Sequence, residues 1–175
     1  MEKPAVLFSH GQESGPWGTK ITAMAAAVRA LGCRADSIDY RGMAEPAARV
    51  EKLVAACADV PGPLVLVGSS MGGYVATAAA ARVRPAGVFV LAPAFDLTEY
   101  GVPLPPVPEA PLEIVHGWRD DVVPPERSVE FARRARATLH LLDGDHRLTE
   151  QIEEINAYLT RFVERIAQLP GGERP

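Results

Sequence analysis

The sequence predicts an α/β fold: a parallel sheet covered by helices on both faces. Two patterns carry this. Six short apolar runs alternate with longer stretches of helical spacing, the signature of successive βαβ units. Several runs, Leu64-Val65-Leu66-Val67 above all, are apolar at consecutive positions, as strands buried on both faces are. Size agrees. The 175 residues are 47% hydrophobic and 23% charged, which suits one domain over residues 1–175 with a substantial core. That apolar fraction excludes disorder, and the lack of any apolar run near 18 residues excludes a membrane span.

Each element has a local reason. Ala5 to Phe8 is a buried-strand candidate, broken by Ser9-His10-Gly11. Thr19 to Leu31 is Ala-rich with helical spacing, and Gly32 is suited to end it as the C′ residue. Ala35 to Tyr40 reads as a strand stopping at Arg41-Gly42. Glu45 to Ala58 reads as a helix that tolerates Pro46 in its first turn. Pro61-Gly62-Pro63 then punctuates before the strand Leu64–Val67. Helix Met71–Arg82, strand Gly87–Leu91, strand Leu112–Val115, helix Pro125–Ala135, strand Thr138–Leu142 and helix Leu148–Ile166 complete the series. A sheet wound from its middle outward is the expected topology. One stretch breaks the rhythm: residues 92–111 show no periodicity, and five prolines crowd positions 103–111. A long structureless connection of this kind serves as a lid, an interface or a stiff crossover.

Charge and cysteine usage narrow the function. A net charge of −4 argues against a nucleic-acid partner, which needs a basic face to neutralise phosphates, and nothing suggests a lipid surface. Cys33 and Cys57 are too few for a disulfide framework and lack metal-ligand spacing. The first residues, Met1-Glu2-Lys3-Pro4 and then four apolar positions, do not form a signal peptide, so a cytoplasmic setting is the default.

Strand Leu64–Val67 runs into Gly68-Ser69-Ser70-Met71-Gly72 and then into a helix. This is Gly-x-Ser-x-Gly in the strand–turn–helix setting of a nucleophile elbow, and only Ser70 satisfies it. A serine needs a base and the base an orienting acid. Of four histidines, His10 and His116 end strands before a glycine and read as turn residues, and His140 lies inside the last strand. His146 alone sits beyond it, in the turn-rich Asp143-Gly144-Asp145-His146-Arg147, and it is the last histidine, as the order Ser…Asp…His requires.

After the strand Leu112–Val115 comes His116-Gly117-Trp118-Arg119-Asp120-Asp121-Val122-Val123-Pro124. His-Gly-x-x-Asp-x-x-Val-Pro, with Gly-x-Ser-x-Gly before it and Gly-Asp-His after it, resembles the α/β-hydrolase family along nearly the whole chain. The resemblance implies a minimal α/β-hydrolase with a six-stranded, mainly parallel sheet and no cap domain after Leu91. It implies Ser70 as nucleophile, Asp120 as acid and His146 as base. Asp121 is the competing acid and Asp96 a distant third. It also implies an oxyanion hole from the N–H groups of Met71 and Gln12. Asp39-Tyr40-Arg41-Gly42 resembles a structural strand-end turn of the same family.

Ser9-His10-Gly11-Gln12-Glu13-Ser14-Gly15 and Gly144-Asp145-His146-Arg147-Leu148 are similar to small lidless bacterial esterases and to acyl-protein thioesterase-like members. The implied substrate is a small acyl ester or thioester, hydrolysed without metal or organic cofactor. Trp17, Phe95, Leu97, Tyr100 and Trp118 fall in segments expected above the C-terminal edge of the strands and are the candidate acyl-pocket walls. The competing reading is a catalytically silent binding or signalling module, which has no need of a complete triad or of elbow glycines.

Overall fold

The computed structural model describes residues 2–169. Its centre is a sheet of six strands: β1 (Ala5–Ser9), β2 (Ala35–Ile38), β3 (Leu64–Ser69), β4 (Gly87–Leu91), β5 (Leu112–Gly117) and β6 (Thr138–Leu142). They lie in the order β2-β1-β3-β4-β5-β6, and all five pairings are parallel. The chain therefore starts in the interior of the sheet, steps to one edge, and returns to build towards the other. The direction reverses between β1 and β3, and at such a switch point a crevice opens beyond the strand ends.

Five helices cover the sheet: α1 (Thr19–Ala30), α2 (Pro46–Cys57), α3 (Met71–Val83), α4 (Pro125–Ala135) and α5 (Ile152–Gln168). The strand pleat sorts side chains between two cores. Val6, Phe8, Val65, Val67, Phe89 and Leu91 point to α1 and α5, where they meet Met24, Val28, Leu159 and Phe162. Leu7, Leu64 and Leu66 point to α2 and α3, and Val88, Val90 and Ile114 to Ala80 and to Phe131 of α4. Burial on both faces is why these strands read as unbroken apolar runs. Cys33 and Cys57 are buried in opposite cores.

The boundaries depart from the expected ones where backbone groups find other partners. β1, β3 and β5 run on through Ser9, Ser69 and Gly117; Gly68 and His116 lie inside their strands, whereas β1 does end before His10. β2 is shorter than expected and stops at Ile38. There the Tyr40 N–H leaves the ladder for His10 Nε2, and Asp39 turns back to accept from the Arg41 N–H. The last helix begins at Ile152 instead of Leu148, because Leu148 adopts a left-handed φ of 53° and a 3-10 turn, Thr149–Gln151, intervenes.

Residues 92–111 hold no regular element beyond a 3-10 turn at Thr98–Tyr100, so no helical cap stands over the sheet. The segment is tied down along its length. Phe95 stacks on Phe131 at 4.0 Å, Tyr74 donates its hydroxyl to the Pro103 carbonyl at 3.0 Å, and Arg134 donates to Pro105 at 3.0 Å. Among the described residues no helix is long and apolar enough to cross a membrane.

Candidate active site

The turn between β3 and α3 forces Ser70 into φ 55°, ψ −123°, a conformation most residues avoid. The glycines flanking it make this possible. A Cβ at Gly68 would collide with the carbonyl of Gly72, and one at Gly72 with the carbonyl of Ser9. The strain is held by the surroundings: the Ser70 N–H donates to Leu91 O at 2.9 Å, and its carbonyl accepts from Gly73 and Ala94. Ser70 thereby stands at the head of α3, above the C-terminal edge of the sheet.

His146 reaches it from the loop after β6. Its Nε2 lies 3.1 Å from Ser70 Oγ and its Nδ1 lies 2.7 Å from Asp120 Oδ2. The close approach of that loop to β5 depends on Gly117, where a Cβ would strike the carbonyl of Gly144. Asp120, its side chain fully buried, accepts four hydrogen bonds. Oδ1 takes the N–H groups of Val122 (2.9 Å) and Val123 (2.8 Å), and Oδ2 takes His146 and His116 (2.9 Å). Burial alone would push this carboxyl up. The bonds from His116, His146, Val123 and Val122 outweigh it and hold the group well below the usual carboxylate range. The competing acid, Asp121, is exposed. Asp96 instead pairs with Arg127 at 3.2 Å. Lys20 of α1 lies close by, its ammonium pulled down to about 8 by burial against the opposing attraction of Asp145 and Asp120.

A cleft of about 330 Å³ opens at Ser70, lined among others by Gln12, Met71, Leu97, Tyr100, Val122 and Arg127. Met71 is the first residue of α3, so its N–H has no acceptor within the helix. Gln12 lines the same cleft, and its side-chain oxygen accepts from the Tyr100 hydroxyl at 3.0 Å.

Of the expected pocket walls, Leu97 and Tyr100 line the cleft. Three do not. Phe95 is 1% exposed and points the other way, into the core against Phe131. Trp17 is 44% exposed with the Arg29 guanidinium over its ring, and Trp118 is 57% exposed. An aromatic in a loop of the right address can turn into the core or out to solvent, and both happen here.

Sequence reasoning missed two residues. His116, which the sequence predicts as a turn residue, bonds Asp120 through Nε2 at 2.9 Å. Arg49 of α2 is 2% exposed, and its Nη1 donates to the carbonyls of His10 (3.3 Å) and Gly11 (3.2 Å), gripping the turn that carries Gln12. Arg49 offered no signal, since an arginine on an amphipathic helix ordinarily faces water.

Comparison with known proteins agrees with this architecture. The bovine (Bos taurus) mitochondrial palmitoyl-protein thioesterase ABHD10 is 27% identical over 214 residues, covering 87% of this chain and 70% of that protein. A solved hydrolase of the alpha/beta superfamily from Xanthomonas campestris pv. campestris is 25% identical with a TM-score of 0.88, covering 94% of this chain and 99% of that one. A serine hydrolase without lid from Xanthomonas campestris superimposes with a TM-score of 0.75 at 22% identity, over 99% of this chain and 86% of that one, a likeness of fold. The family model described as the alpha/beta hydrolase family matches residues 6–172, and the chain belongs to that family.

Proposed function

We propose that the chain is a serine hydrolase of small carboxylic esters or thioesters. One observation carries the reading: a serine hydroxyl, an imidazole and a buried ionised carboxylate stand in line, at 3.1 Å and 2.7 Å, at the mouth of a cleft. His146 Nε2 takes the Ser70 proton as Oγ attacks the carbonyl carbon. The N–H groups of Gln12 and Met71 receive the oxyanion. Collapse breaks the bond to the alcohol or thiol, which leaves with the proton from His146. Water, activated by the same imidazole, then cleaves the acyl-Ser70 ester. The thioesterase name of the bovine relative supports the thioester half of this reading.

A fluorophosphonate probe tests it. Folded wild type should label and Ser70→Ala should not; an unlabelled wild type, or equal labelling of both, rejects the proposal. The acyl group is expected to be short. Leu97, Val122 and Val123 wall the cleft, but the charges of Asp96, Glu99 and Arg127 interrupt its lining. Each methylene that finds an apolar wall adds about 0.8 kcal/mol, roughly fourfold in binding. We expect kcat/KM on nitrophenyl esters or acyl thioesters to peak at roughly C2–C6 and then flatten. A continued rise to palmitate, the acyl group in the name of the bovine relative, would mean that residues 92–111 roof a long chain.

A further inference from the structure

The end of β5 holds an imidazole that takes no part in the proton transfers of this reaction. His116 is 0% exposed. Its Nε2 lies 2.9 Å from Asp120 Oδ2 and 3.0 Å from the Val123 carbonyl, and its Nδ1 lies 2.7 Å from Ser128 Oγ of α4. Both neighbours of Nε2 are acceptors, so Nε2 carries a hydrogen, and in the neutral ring Nδ1 then accepts the Ser128 hydroxyl proton. Oδ2 of Asp120 is thus where two imidazole N–H groups meet, one from His116 and one from His146.

We infer that His116 is a positioning residue of the proposed hydrolase, acting through Asp120: by sharing Oδ2 it fixes the rotation of the carboxylate and moderates its pull on the proton of His146. The inference rests on the reading of Ser70, His146 and Asp120 as catalytic. An oxygen that accepts two strong donors spreads its charge between them, so each bond is weaker than it would be alone. Ser128 completes the chain. Its O–H on Nδ1 draws electron density through the ring and makes Nε2–H the better donor. Without His116 the carboxylate keeps its two backbone bonds at Oδ1 but gives all of Oδ2 to His146. The imidazolium form of His146 is then stabilised more strongly, and the base stays protonated to higher pH.

Other charges face the same carboxylate. Lys20 comes from α1, and its ammonium senses both Asp120 and Asp145 of the loop after β6. Asp121, in the acid's own loop, is exposed. These groups are unchanged in the variants below, so a shift belongs to His116 and Ser128.

The experiment compares wild type with His116→Leu, His116→Gln and Ser128→Ala, using the pH dependence of kcat/KM on 4-nitrophenyl acetate and an NMR titration of the His146 imidazole. In His116→Leu the acid limb and the NMR midpoint should move together to higher pH by about 0.5–1 unit. Ser128→Ala should move both the same way by less, and His116→Gln, which keeps an N–H donor, should return both towards wild type. A fall in rate with limb and midpoint unmoved would leave His116 a packing residue and overturn the inference. If His116→Leu fails to fold, an unmoved midpoint in Ser128→Ala overturns it equally. If wild type neither turns over the ester nor takes the fluorophosphonate, the hydrolase reading fails. The NMR midpoints still decide separately whether His116 governs the proton of His146.

Discussion

The same dipeptide, His-Gly, stands at the C-terminal ends of two strands of this sheet, just past one and inside the other, and the two do different work. His10-Gly11 follows directly on β1, and His116-Gly117 are the last two residues of β5; both histidines are fully buried, and each precedes a segment that lines the cleft. The ring nitrogens of His10 hydrogen-bond only to backbone, with the Tyr40 ring tilted against the imidazole at 5.1 Å and Asp39 Oδ1 4.0 Å from Nε2. Its Nδ1 donates to the Gly11 carbonyl at 2.7 Å, and its Nε2 accepts the Tyr40 N–H at 2.9 Å, which locks the ring neutral. Burial first, and Arg49 in addition, pull its imidazole below the ordinary value. His116 meets a carboxylate and a hydroxyl. The role of a strand-end histidine is therefore set by what the next loops bring to its two nitrogens. At β1 the ring is a strut that joins β1 to the end of β2; at β5 it is part of a polar chain that ends on Ser70.

The largest effect that would break this contrast lies at Asp120, which His116 hydrogen-bonds, whereas Asp39 stays 4.0 Å from His10 Nε2. Asp120→Asn keeps the shape of the loop but removes the charge that orients His146. By the serine-protease precedent turnover should fall about 10⁴-fold with the fold intact. Asp121→Asn, exposed and outside the chain of hydrogen bonds, should alter turnover by less than about threefold. Steady-state kinetics on a nitrophenyl ester, with circular dichroism as the folding control, read both. Reversed effects would move the acid to Asp121 and detach β5 from the chemistry.

A smaller effect is expected at the strut. His10→Leu leaves the Tyr40 N–H without its acceptor and loosens the turn that Arg49 grips. Stability should fall by about 1–3 kcal/mol, the cost of one buried group left unsatisfied. Urea unfolding measures this. The acid limb of kcat/KM should stay in place, because His10 hydrogen-bonds none of Ser70, His146 and Asp120, the groups of the proposed triad. A moved limb would mean that the two histidines are electrostatically alike after all.

Legibility in the sequence follows the same divide between local and distant partners. Ser70 was readable because its strain and its glycines lie within five residues. The strands were readable because burial on both faces leaves unbroken apolar runs. His146 and Asp120 were readable from their motifs and their order along the chain. The partners of His10 were not, since Tyr40 and Arg49 arrive from about 30 and 40 residues away. Nor was the inward turn of Phe95, which is decided by Phe131 of a later helix. Trp17 and Trp118 had the right addresses, but side-chain direction in a loop has no periodicity to read.

The smallest effect separates the two ends by pH. The folded state holds His10 below its ordinary value near 6.5, so between the folded value and 6.5 the unfolded chain binds the extra proton. The stability gained by keeping the ring neutral is full above about 6.5 and is lost as the pH falls through the folded value. Asp120 is held below its ordinary 3.8, so its contribution is full above that value and disappears only in stronger acid. Mild acid should therefore weaken the β1 end while leaving the β5 carboxylate ionised. Urea unfolding at steps from pH 7.5 to 4.5 should show wild type losing stability by at most about 1.4 kcal/mol per pH unit from this one group. His10→Leu, less stable at pH 7.5, should lose correspondingly less on the way down, so the two curves converge. Parallel curves would show that protonating His10 costs the fold nothing and that its ring is not the neutral strut its two backbone bonds describe.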